Sequence, residues 1–81
     1  MEEMEIRKIF NEITEGKRPY ITDEELASNF PFMGCNAKRI RFHANHNGLK
    51  ASGRVKKAMA FCFKEVVGAI EWKKNRMKLG K

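Results

Sequence analysis

Between Leu26 and Lys64 the chain contains no aspartate and no glutamate; its 10 acidic residues all lie to either side. The same stretch holds Lys38, Arg39, Arg41, Lys50, Arg54, Lys56, Lys57 and Lys64, in a chain of net charge +7. Solvated surfaces usually mix the two signs. A zone of one sign framed by acidic flanks is therefore matched to an anionic partner, most often nucleic acid. The same absence excludes a carboxylate pair for acid–base catalysis inside the zone.

Cysteine is scarce as well. Cys35 and Cys62 are the only ones, too few for a disulfide scaffold. The start, MEEMEIRK, is acidic where a secretory signal would be basic and then apolar. Both features predict a cytoplasmic protein with reduced thiols. The apolar runs are too short for a membrane-spanning helix. The 81 residues make one domain, 1–81, with a small core and no room for a large enclosed substrate pocket.

What is present is a helical period. Ile6, Ile9, Phe10 and Ile13 share one face of a helix over residues 2–15. Glu2, Glu3 and Glu5 lie at its positive end, and Gly16 stops it. Thr22 and Glu25 form a capping box that starts a short second helix, with Leu26, Ala27 and Phe30 inward and Pro31 ending it. Phe32 or Met33 should then plug into the core. Asn36 caps a third helix, AKRIRFHANH, stopped by Asn47-Gly48. Ile40 and Ala44 face inward, Leu49 packs beyond the stop, and Phe42 is open between core and surface.

A fourth helix is expected over about 53–78, because Val55, Met59, Cys62, Phe63, Val66 and Ile70 recur at helical spacing. Phe61 and Trp72 fall on a separate line, open to two readings: a wrapped core or a contact between two copies in a homodimer. The expected fold is therefore all-α, a small four-helix domain with a long C-terminal helix.

Short helix, turn, basic helix is the layout of a helix-turn-helix, here over about 22–50, whose second helix enters the major groove. Arginine can donate two hydrogen bonds to guanine and asparagine can pair with adenine. Arg39 and Arg41 are the first candidates for base contact, followed by Lys38, Asn45 and His46. Lys50, Arg54, Lys56 and Lys57 are candidates for phosphate. Residues 52–57 would form a second cationic cluster at a helix N-terminus, which itself favours phosphate.

The segment ITDEELASNF…NAKRIRFHANHNGLKAS, residues 21–52, resembles the Myb- or homeodomain-like helix-turn-helix of bacterial and phage proteins. Thr22, Glu24, Glu25, Leu26 and Ala27 match the acidic first helix; Ala44, Asn45, Gly48, Leu49 and Lys50 match the end of the basic one. The chain departs from the pattern at three points: the turn FPFMGCN is longer than usual, the aromatic expected ahead of the acidic helix, often tryptophan, is at best Tyr20, and Asn47 stands where an apolar residue commonly precedes Gly-Leu. The resemblance implies that the helix 37–46 reads DNA.

Other chemistries have less to stand on. Cys35, His43, His46 and Cys62 could in principle ligate zinc, but their spacing fits no standard finger. The histidines should instead sit on the basic face and add charge below about pH 6.5. A Cys35–His43 nucleophile–base pair has no third orienting group. The expectation is a non-enzymatic protein without metal or cofactor that binds double-stranded DNA, a small transcriptional regulator of phage or mobile-element type. A rival partner is an acidic host protein (a nuclease, a polymerase subunit or a nucleoid protein) that the basic surface would inhibit or redirect.

Overall fold

In the computed structural model, which describes residues 2–30 and 34–79 with side chains to Arg76, the first helix, α1, covers Glu3–Thr14. Ile6 and Phe10 are buried and Ile9 and Ile13 pack on the core, as their spacing predicts. Glu15 at φ 54° and Gly16 at φ 72° turn the chain left-handed and end the helix.

A short strand, β1 (Tyr20–Thr22), leads straight into α2 (Asp23–Asn29). Thr22 belongs to both. Its hydroxyl accepts from the Glu25 N–H at 3.3 Å, and its own N–H donates to Glu25 Oε1 at 2.9 Å. This is the reciprocal cap that the T-x-x-E spacing predicts. Arg18 donates to the same carboxylate, Nη1 to Oε1 at 2.7 Å and Nη2 to Oε2. The guanidinium holds the Glu25 carboxyl below its usual range, against the opposing effect of burial. Phe30 closes α2 and is fully buried. Phe32 and Met33, expected to plug the core, lie outside the described residues.

The third helix, α3 (Ala37–His46), has the expected bounds. Asn36 Oδ1 accepts from the Arg39 N–H at 2.8 Å, which caps its start. Gly48 at φ 81° follows the stop, and Ile40 and Leu49 are buried.

Beyond this point the chain corrects the all-α reading. Instead of one long helix from residue 53, it forms β2 (Gly53–Val55), β3 (Ala58–Cys62) and then α4 (Phe63–Leu79). The three strands make an antiparallel sheet of order β1-β3-β2, with Ile21 opposite Phe61 and Arg54 opposite Met59. The fold is thus mixed α and β. Lys56 and Lys57 are the two-residue loop of the β2–β3 hairpin, and Lys56 takes the positive φ, 58°, that such tight loops require.

The physical reason lies in β3. It is the central strand, and Met59, Ala60 and Phe61 in succession are buried. A strand covered on both faces shows no period-two alternation; its sign is a short apolar run bounded by a turn. Ala58-Met59-Ala60-Phe61-Cys62-Phe63 after Lys56-Lys57 is such a run. The helical stripe is real only from α4 onward, where Val66, Ala69 and Ile70 are buried. Every helix, together with β1 and β3, contributes to one core cluster.

Candidate nucleic-acid interface

Ile40 turns α3 toward the core, with Ala37 and Ala44 half-buried beside it. At 100° per residue the opposite side carries Lys38, Phe42 and Asn45, with Arg39 and His46 on one flank. All five are exposed. The candidate residues Lys38, Arg39, Asn45 and His46 are therefore together on one open face. Lys50, exposed, follows the stop of α3.

Arg41 lies on the other flank, and its surroundings differ. Its Nη1 donates to Asp23 Oδ2 at 2.9 Å, and the same oxygen accepts from the Met59 N–H at 3.3 Å. Asp23 has no exposed surface, whereas the Arg41 side chain keeps 37% of its own. Asp23 Oδ1 has no hydrogen-bond partner among the described residues. One carboxylate thus joins the start of α2, the middle of α3 and the central strand. This contact commits Arg41 to the fold and leaves Arg39 as the arginine on the open face. Asp23 lies in the first turn of α2, where the helix dipole favours a carboxylate; the partner that makes it central is 18 residues away.

Arg54, Lys56 and Lys57 are exposed along the β2–β3 hairpin. Their expected position at a helix N-terminus is corrected with the fold, since α4 starts only at Phe63. Lys57 borders a shallow depression together with Asp23, Glu24, Arg41 and Ala58. The hairpin tip therefore stands beside the Arg41 flank of α3. Among the described residues the ion pairs are Lys17–Glu15, Arg18–Glu25 and Arg41–Asp23. None of them uses Lys38, Arg39, Lys50, Arg54, Lys56 or Lys57.

The two residues considered for a contact between copies are placed differently. Phe61 is fully buried on β3 opposite Ile21, so it is a core residue and is not available to a second chain. Trp72 is half-buried on α4 and engaged within the chain. Its Nε1 donates to the Asn47 carbonyl at 3.0 Å, and its ring lies 5.0 Å from that of His43. The Asn47 N–H in turn donates to the His43 carbonyl at 2.8 Å. Thus α4 secures the C-terminal end of α3.

His43 consequently faces inward, not onto the basic face. Burial, reinforced by Arg76, Lys73 and Arg39, pushes its imidazole below the ordinary value. It remains neutral to lower pH than the sequence reading expects. Cys62 is half-buried at the junction of β3 and α4. Burial pushes its thiol up, but hydrogen bonds with Ser52 and with the Glu65 and Lys64 backbone outweigh it and hold the thiol below its ordinary value. Among the described residues no three His, Cys, Asp or Glu side chains gather to hold a metal ion, and no helix is long and apolar enough to cross a membrane.

Phe42, left open by the sequence, is 54% exposed at the centre of the cationic face. Its ring lies 4.7 Å from that of His46, one turn further along the helix. Comparison of the chain with known family models, with curated proteins and with solved structures finds no match.

Proposed function

We propose that this protein is a non-enzymatic, duplex-DNA-binding regulator in which α3 enters the major groove and the β2–β3 hairpin lies against the neighbouring backbone. The observation that carries this reading is the set of unpaired cations. Lys38, Arg39, Lys50, Arg54, Lys56 and Lys57 are exposed on α3, its stop and the hairpin, and no ion pair among the described residues uses them.

A helix with its side chains is about 10–12 Å across, which suits a major groove about 12 Å wide. Arg39 and Asn45 would then reach base edges, because their donor and acceptor patterns match guanine and adenine. The hairpin cations and Lys50 would neutralise phosphates, which fixes orientation without reading sequence. α2 acts as the brace, since Asp23 holds both Arg41 of α3 and the backbone of β3.

A duplex mobility shift at several salt concentrations tests the proposal. With roughly five phosphates neutralised, log affinity should fall against log salt with a slope of about −4.5. Lys56→Ala with Lys57→Ala should weaken all sequences alike and flatten the slope by about 2. Arg39→Ala should instead relax sequence preference. Absence of a shift at low salt would remove the reading.

A further inference from the structure

Large apolar side chains are rarely left open in this fold: among the described residues Met4 and Phe42 are the exposed large hydrophobics. Met4 stands among the acids of α1. Phe42 stands at the centre of the cationic face of α3, flanked by Lys38, Arg39, Asn45 and His46. With Asn36, Lys38 and Arg39 it borders a shallow depression, so donors and an apolar ring share one concave patch. His46 covers part of the ring at 4.7 Å, and 54% of the residue remains open.

An anionic partner explains the cations but not the ring, which gains nothing from charge. In the major groove one group is apolar, the C5 methyl of thymine, and phenylalanine is among the side chains suited to it. Resting on the reading of α3 as a major-groove helix, we infer that Phe42 reads a thymine methyl beside the base contacted by Arg39. The ring then excludes water from the methyl, while the arginine supplies polar recognition next to it. Phe42 is in this view a specificity-determining residue, and its exposure in the free protein is the site itself.

The experiment uses the full chain and a random-sequence duplex pool. The tightest-binding duplex recovered from the pool is remade with uracil in place of thymine, which removes only the methyl groups. Wild type should bind the thymine form about four-fold more tightly, the worth of burying one methyl. Phe42→Ala should bind both forms alike, whereas Phe42→Leu, which keeps an apolar tip, should retain most of the preference. Equal binding of both forms by wild type, or a preference that persists in Phe42→Ala, overturns the inference and leaves duplex binding standing. Failure of wild type to bind any duplex of the pool at low salt overturns the proposed function and the inference together. Tighter binding of the separated strand than of the duplex, lost in Phe42→Ala, assigns the ring to stacking on an unpaired base and also overturns it.

Discussion

Arg18, in the link between α1 and β1, and Arg39, in the first turn of α3, are both arginines, yet only one of them meets a carboxylate. Arg18 forks onto Glu25, which also closes the cap of α2. Arg39 has its backbone N–H bound by Asn36 and its guanidinium in solvent, outside every ion pair among the described residues. The same contrast separates whole regions. From α1 to α2, Glu2, Glu5 and Glu25 complete capping boxes, and Glu15 and Glu25 pair with Lys17 and Arg18. From Lys38 to Lys57 the cations meet no carboxylate among the described residues, with Arg41 as the exception that crosses to Asp23. The capping carboxylates and Arg18 of the first region serve the fold; the open cations of the second are available to a partner. Since exposed charges contribute little to stability, substitutions in the two regions should separate cleanly into stability effects and binding effects.

The largest expected effect is on the contact between the regions. Asp23→Ala removes a fully buried carboxylate and leaves the Met59 N–H without its acceptor. It should cost roughly 2–3 kcal/mol, less than a fully enclosed pair because Arg41 can turn to solvent. Urea denaturation measures this, and a loss below about 0.5 kcal/mol, within the usual surface range, would dissolve the distinction. Next comes Trp72→Phe, which keeps an aromatic ring but loses the indole N–H that donates to Asn47. A loss of about 1 kcal/mol is expected, with faster amide exchange in the last turn of α3.

Lys56→Gly should sharpen the comparison by giving opposite signs. Glycine accepts the φ of 58° without strain and should stabilise the hairpin by about 0.5 kcal/mol after its own entropy is counted. It should nevertheless weaken duplex binding and flatten the salt slope by about 1. A variant that loses both stability and binding would place Lys56 with the structural charges. The smallest effect concerns pH. The His43 imidazole is held below its ordinary value of 6.5 in the folded chain, so the unfolded chain binds that proton more readily. Its contribution to stability is intact above pH 6.5 and is lost as the pH falls through the lower folded value. Denaturation midpoints of His43→Gln should therefore decline less than those of wild type between about pH 7 and pH 5.

The helices were legible because their signals are local. Thr22 with Glu25, Asn36, Gly16 and Asn47-Gly48 each act within a few residues of themselves, and the bounds of α1, α2 and α3 follow from them. The sheet was not legible for two reasons. β1 is too short, at 3 residues, to display a period. β3 is buried on both faces and takes its pairing from Tyr20–Thr22, far along the chain. Its apolar residues also happen to fall in phase with the helix that follows. For the candidate site, charge alone gathered Lys38, Arg39, Lys50, Arg54, Lys56 and Lys57. It could not show that Arg41 is held by an aspartate 18 residues away. Nor could spacing settle Phe42, which is four residues from His46 on the surface and two from buried Ile40.

The sheet order β1-β3-β2 has one more result. Both outer strands are 3 residues long, and β2 runs into Lys56-Lys57. Open strand margins are templates on which other chains can add themselves, and short length and lysine are the ordinary defences. With five consecutive residues of β3 (Ala58–Cys62) enclosed between such margins, the chain keeps this apolar segment out of reach, and the two lysines at the turn act as its gatekeepers.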